Sequence, residues 1–242
     1  MSYHSQRRWQ AQPRRHTKAI AEEQHSMVTG VGHTIGHGSE LLTVEGLGHK
    51  IGHHNRQTSL SGSHHQTHDH ILNSTLIGDH GLSTNNGEFV VAIPNKAFPE
   101  AASSGRAQLV NLMLVGNIAA HSTTPLRNPL TPSHFEQPFI RLYTPNSTVV
   151  AELMLVGRSF GGELINDYCA QTTMIIRSDH EGMLTVAGER QLPMTIVHDN
   201  LSSELMFAIQ LDGDRFSIQI TNEAGSEGVK LVGRLQLTVV AD

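Results

Sequence analysis

The chain has 242 residues and 26.4 kDa, room for one large domain or two small ones. Apolar residues make up 38% and charged residues 16%, both below the globular average, and the balance lies in Gly, Ser, Thr, Asn, Gln and 17 His. That mixture excludes a large helical core and suits an all-β chain with many tight turns.

The net charge of −5 conceals an asymmetry. Residues 1–27 carry Arg7, Arg8, Arg14, Arg15 and Lys18 against Glu22 and Glu23, while the rest of the chain is acidic. A basic arm over residues 1–30 suits attachment to an acidic protein surface or an extended tail ordered in an assembly. Nucleic acid is not expected as a partner. No apolar run approaches the roughly 18 residues of a membrane span, so membrane insertion is not expected either. The start, with Tyr3, His4, Arg7, Arg8 and Trp9, has no hydrophobic segment of the secretory type. A single cysteine, Cys169, excludes an internal disulfide framework and fits assembly in a reducing cytosol.

From Gly32 the sequence divides every sixteen residues: 32–47, 48–63, 64–79, and a fourth unit that opens at His80. His33, His49 and His65 share one column, and Ile35, Ile51 and Thr67 another. Val44, Leu60 and Leu76 form a third, Gly46, Gly62 and Gly78 a fourth, and Gly36 and Gly52 a fifth in which His68 follows. A short period with glycine corners and few apolar columns predicts a β-solenoid over residues 31–93, one coil per repeat. The glycines are expected to turn corners at positive φ. Ile51 is expected to point inward and Thr58 to tolerate a charge, so that Ile51→Asp harms the coil more than Thr58→Asp. Three thin coils bury little, which points to self-association.

The pairs GHTIG…VEG and GHKIG…LSG resemble the SHAEG…ASG repeats of trimeric adhesin heads and of many bacteriophage tail-fibre proteins. The resemblance spans about residues 31–88. It implies a left-handed parallel β-roll, with three rolls packed about a three-fold axis.

Asn85-Asn86-Gly87 signals a turn into the apolar run from Phe89 to Ile93, where a domain boundary is expected. In the third domain, residues 94–242, positions 98–140 read as a proline-rich loop around one strand, Leu109–Val115. Strands are then predicted at Val149–Val156, Thr172–Ile176, Leu184–Val186 and Met194–Val197. A hairpin follows, Met206–Leu211 and Arg215–Ile220 about Asp212-Gly213-Asp214, and a last strand carries Leu235, Leu237 and Val239. This pattern predicts an antiparallel β-sandwich. The stretches RLYTPNSTVVAELMLVGRSFGG and FSIQITNEAGSEGVKLVGRLQLTVV are similar to closing segments of phage and prophage tail-fibre proteins.

Eleven of the histidines fall between His25 and His80 and follow the repeat columns, which reads first as a structural ladder at strand spacing. A metal reading attaches to His68-Asp69-His70: in an extended segment His68 and His70 share one side, and a trimer could gather six imidazoles around Fe or Ni on its axis. The resemblance to trimeric phage fibres implies the same. Gly157-Arg158-Ser159-Phe160-Gly161 spells a nucleophile elbow but lacks the strand-to-helix setting of one. Asp179 with Glu181, and Asp212 with Asp214, read as turn carboxylates. Phe135, Phe139, Tyr143 and Phe160 read as core before sugar platform.

The sequence therefore points to a homotrimeric structural component of a phage or phage-like tail. A fibre or fibre tip, attached to other virion proteins through the arm and facing a host receptor, is the leading expectation. The chain would assemble in the host cytoplasm and reside in the virion tail. A baseplate, collar or capsid-decoration protein is the alternative, and a glycan-degrading tailspike ranks third. The chain is expected not to be an enzyme.

Overall fold

In a computed structural model, the described residues are 25–93, 107–130, 138–142, 145–160, 167–187, 195–196, 205–223 and 228–241. Most of the basic arm lies outside them, as do Phe135 and Tyr143. Among the described residues there is no helix, and hence none long and apolar enough to cross a membrane. The chain divides into two compact units, one up to residue 105 and one from residue 106.

The first unit is a parallel β-solenoid of about four coils. Its long side stacks β1 (Met27–Val31), β3 (Thr43–Leu47), β5 (Ser59–Ser63), β7 (Thr75–Asp79) and β9 (Phe89–Ala92). Its short side stacks β2 (Thr34–Ile35), β4 (Lys50–Ile51), β6 (Gln66–Thr67) and β8 (Leu82–Ser83). Single parallel bridges from Glu40 to Arg56 and from Arg56 to Leu72 make a third side. The register is one repeat per coil: Val44 pairs with Leu60 and Leu60 with Leu76. The fourth coil is shorter, because Thr75 pairs with Phe89.

The inward columns are those of Val44, Leu60, Leu76 and Val90, and of Ile51, Thr67 and Ser83, all buried. A further inward column holds Leu42, Thr58 and Ser74. The expectation for Thr58 is corrected here: it is 1% exposed, against 4% for Ile51, so a carboxylate at either position would be buried without a partner. The glycines also act differently from one another. Gly46, Gly62 and Gly78 have the expected positive φ, 126°, 126° and 105°, but they lie within β3, β5 and β7 rather than at corners. Gly36 and Gly52 do not lie in the left-handed region; a Cβ on either would meet the backbone of the next coil at Gly52 or His68. They are glycine for closeness, not for φ.

The second unit holds two antiparallel sheets. In the larger, β10 (Ala107–Ile118) pairs with β19 (Gly228–Ala241), β19 with β13 (Ser147–Phe160), and β13 with β14 (Asp167–Ser178). β14 then pairs with β15 (Leu184–Ala187) and β16 (Thr195–Ile196). In the smaller, β18 (Arg215–Asn222) pairs with β17 (Leu205–Asp212), β11 (Ser122–Pro125) and β12 (Ile140–Arg141). Alternation makes each sheet two-faced. Val149, Ala151, Leu153 and Leu155 are buried on β13, Leu231, Leu235, Leu237 and Val239 on β19, and Phe216, Ile218 and Ile220 on β18.

The two kinds of constraint on glycine can be separated by substitution. Gly32 has φ of 76° but only ordinary contacts at 3.7 Å, whereas a Cβ on Gly62 would fall on the carbonyl oxygen of Gly78. Gly32→Ala is expected to cost about 1–2 kcal/mol, the left-handed penalty alone. Gly62→Ala should cost clearly more, because the stacked coils must separate. Urea unfolding of the two variants measures the difference, and equal losses would refute the close-approach account.

Candidate functional site

The solenoid buries a histidine ladder. His33, His49 and His65 are 8%, 0% and 0% exposed. Their rings stack at 5.0 and 5.1 Å between centroids, with planes 7° and 2° apart. Each ring links the backbone of two successive coils. Nε2 of His33, His49 and His65 meets the carbonyl oxygens of Thr29, Glu45 and Ser61 at 3.0–3.1 Å. Nδ1 of the same rings accepts the backbone N–H of His49, His65 and Gly81 at 3.3, 3.2 and 2.9 Å. A backbone N–H can only donate, so Nδ1 is the acceptor and the proton resides on Nε2. The ladder is therefore made of neutral imidazoles. Burial is the largest influence on His49 and lowers its pKa to about 4, against the partial support of the Glu45 carbonyl. His65 is lowered as well, chiefly by burial.

Other histidines occupy left-handed corners on the outside. Gly32, Gly48, His64 and His80 form one such column, with φ of 76°, 67°, 53° and 59°. Gly38, His54 and His70 form another, at 73°, 55° and 61°. His54 stacks on His70 at 5.0 Å, and His64 on His80 at 4.8 Å. Asp79 lies beside the latter two rings. Its Oδ1 is 2.8 Å from His80 Nδ1 and 3.6 Å from His64 Nδ1, and it also accepts the Ser63 hydroxyl. Burial acts to raise the Asp79 carboxyl, but the Ser63 hydroxyl and the two imidazoles outweigh it and hold the group below its ordinary value.

The residues singled out from the sequence are not gathered in this way. His68 is half-buried and donates its backbone N–H to Ser83 O at 3.0 Å. Asp69 and His70 lie in a turn, with His70 exposed at positive φ. The extended conformation that would align His68 with His70 is therefore absent. Asp69 instead accepts the His53 N–H at 2.6 Å, in the column where His53 Nδ1 accepts the His37 N–H.

Ser159 lies within the long strand β13 and is 6% exposed, which is not the setting of a nucleophile elbow; Gly161 is outside the described residues. Asp179 accepts the N–H groups of Glu181 and Met183, both at 2.9 Å, as a turn residue. Asp214, in the hairpin turn, pairs with its neighbour Arg215 and with Arg141 of β12. Phe139 is half-buried, and Phe160 lies 5.3 Å beneath Lys230 Nζ. An open depression of about 490 Å³ in the second unit is lined by Val115, Leu231 and Val232 together with Arg127 and Lys230.

One buried acid gave no sequence signal. Glu88 is 3% exposed, and burial raises its pKa, against hydrogen bonds from the Asn85 amide and the Thr84 N–H at 2.6 and 2.7 Å. A shortened fourth repeat would have been needed to place it.

No protein-family model and no curated protein matches the chain. Among solved structures it is similar to three phage tailspikes. The tailspike of Acinetobacter baumannii phage AM24 is 9% identical with a TM-score of 0.34, over 84% of this chain and 47% of that one. Gp49 of Acinetobacter baumannii bacteriophage Fri1, a capsular polysaccharide depolymerase, is 7% identical with a TM-score of 0.31, over 84% and 39%. The tailspike of Acinetobacter phage vB_ApiP_P1 is 8% identical with a TM-score of 0.26, over 90% and 46%. The chain spans less than half the length of each. At these scores the likeness assigns no activity to this chain. It does correct one expectation: with a depolymerase among the similar structures, the sequence reading that the chain is not an enzyme is withdrawn.

The ladder sets a pH dependence. His49 is neutral when folded and ordinary when unfolded, so between pH 6.5 and about 4 the unfolded chain binds a proton that the folded chain refuses. Its contribution to stability is complete above pH 6.5 and is lost as pH falls toward 4, at up to about 1.4 kcal/mol per pH unit. The rings facing it, His33, His65 and His64, disfavour its protonation further. Urea unfolding across this range should show the decline in the wild type and a shallower one in His49→Asn. Identical slopes would refute the role of this ring.

Proposed function

We propose that the protein is a trimeric structural component of a phage or phage-like tail, a fibre or fibre tip that contributes to host-surface attachment. The reading is supported by the tail-fibre-like sequence segments and by a parallel solenoid with one coil per sixteen-residue repeat where the SHAEG-type resemblance was found. In this reading residues 1–30 attach to other tail proteins, 31–93 form the repeat domain, and the two antiparallel sheets of 94–242 are the layers of a sandwich.

The observation that carries the trimer is the outer face of the larger sheet. Val115, Val232, Val156 and Cys169 lie in one row across β10, β19, β13 and β14, and Met113, Arg234, Met154 and Gln171 in the row beside it. Val156, Val232 and Met113 are each more than half exposed, and Ile175 and Val240 extend the apolar area. A cluster of exposed apolar side chains on one sheet face is the mark of a protein–protein contact. Two further copies of this chain are the occupants proposed for it.

Light scattering of the full chain should give three times the 26.4 kDa chain mass, and Val156→Glu/Val232→Glu should lower it. A stable wild-type monomer at neutral pH would overturn the trimer. For the role itself, particles lacking 94–242 should assemble but fail to adsorb. Failure to assemble would favour the baseplate, collar or decoration alternative. A fibre tip and a tailspike fit these features equally, and turnover of isolated capsular polysaccharide by the purified chain separates them.

A further inference from the structure

We propose that His64, Asp79 and His80 form a binding site for a divalent transition-metal ion at one corner of the solenoid. This does not depend on the chain being a tail protein. It rests on how the coils bring three donor atoms together.

His64 and His80 occupy the same corner of successive coils, and Asp79 immediately precedes the second. One ligand atom from each of the three lies within 4.8 Å of the others, and among the described residues this is the grouping of metal-ligating side chains that converges so closely. Zinc holds imidazole nitrogen and carboxylate oxygen at about 2.0–2.2 Å, so donors at a tetrahedral ion stand roughly 3.3 Å apart. The 2.8 and 3.6 Å separations from Asp79 Oδ1 to the two Nδ1 atoms bracket that edge. The donor atoms are close enough for one ion, and because the two rings are stacked with planes 19° apart, at least one imidazole turns out of the stack to aim its Nδ1 lone pair at it.

The hydrogen bonding also favours an ion. A carboxylate oxygen offers about two lone-pair sites. Here Oδ1 is approached by His80, His64 and the Ser63 hydroxyl together. With the proton of each neutral ring on Nε2, both Nδ1 lone pairs bind the ion in place of hydrogen bonds to Oδ1, Ser63 still holds the carboxylate, and the crowding is relieved. Neutral imidazole with carboxylate suits Zn²⁺ and its neighbours in the first transition row. Three protein donors leave a fourth position for water.

The corner is built to admit the rings. In the two lower coils the column holds Gly32 and Gly48, and a Cβ on Gly48 would come within 2.9 Å of His64 Cδ2. The same column supplies clean variants, because glycine already occupies this left-handed position twice. His64→Gly and His80→Gly should keep the corner conformation and remove only the ligand.

The test is calorimetric titration of the untagged full chain with Zn²⁺ after dialysis against a chelator. The expected result is one strong equivalent per chain. Asp79→Asn, His64→Gly and His80→Gly should each weaken it by about tenfold or more, the loss that follows removal even of outer-shell partners. His54→Gly removes an exposed stacked histidine from the equivalent left-handed column and should leave this equivalent intact. Far-UV circular dichroism checks that each variant keeps its strands, and the glycine variants remain decisive if Asp79→Asn does not fold. Absence of a strong equivalent, equal weakening by His54→Gly, or one ion per three chains lost in His68→Ala/His70→Ala would each overturn the proposal.

Discussion

Each buried imidazole in the solenoid joins a carbonyl four residues behind it to a backbone N–H sixteen residues ahead. Those two bonds fix one coil length, because the acceptor Nδ1 reaches the next coil only if the repeat closes on itself. The stacked rings, at 5.0 and 5.1 Å, match the separation of parallel strands. Histidine can do this where leucine cannot, since backbone groups turned inward at a corner must find partners. A neutral ring supplies one donor and one acceptor in fixed opposition. The cost is dependence on the ring remaining neutral, which ties the coil to pH.

Around that constraint the other columns vary in both chemistry and size. Ser39, Asn55 and Ile71 share one inward column, and Leu42, Thr58 and Ser74 another. The polar members are hydrogen-bonded coil to coil: Ser39 Oγ accepts the Asn55 N–H at 3.1 Å, and Asn55 Oδ1 accepts the Ile71 N–H at 2.7 Å. Such side chains substitute for hydrophobic burial with satisfied polar groups. This explains how a chain with only 38% apolar residues maintains a continuous narrow core.

Much of this was legible in the sequence, for identifiable reasons. The His33–His49–His65 and Val44–Leu60–Leu76 columns repeat without interruption, so period and register could be read directly. In the second unit, the apolar run Val149–Val156 and the alternation about Leu235, Leu237 and Val239 marked strands that are longer, Ser147–Phe160 and Gly228–Ala241, the second extending mainly toward its N-terminal end. Thr58 was misread because its column mixes Leu42, Thr58 and Ser74, and a polar side chain facing inward looks like one facing water. Gly36 and Gly52 were misread because closeness and positive φ leave the same residue. The pairing of His64 and His80 with Asp79 was hidden by looking along the chain at His68-Asp69-His70 rather than across the corner. The replacement of Gly32 and Gly48 by His64 and His80 in one column was the available signal.

The columns also give the array a direction. Ile35 and Ile51 are followed by Thr67 and Ser83, and Leu42 by Thr58, Ser74 and finally Glu88, whose carbonyl takes the Thr75 N–H just as Ser74 takes that of Ser59. In these two columns apolar side chains give way to polar ones, while Val44, Leu60, Leu76 and Val90 stay apolar throughout and the Ser39, Asn55, Ile71 column runs the opposite way. At Glu88 the coil shortens, and its carboxyl gathers the Thr84 N–H and the Asn85 amide. Burial of a carboxyl is costly unless such donors are fixed in place, so Glu88 requires the shortened turn as much as the turn requires it. The same progression brings histidine into the left-handed corners where the early coils carry glycine. The histidine corners thus accompany the change to polar side chains in these two columns, and the buried histidine ladder keeps the coils in register.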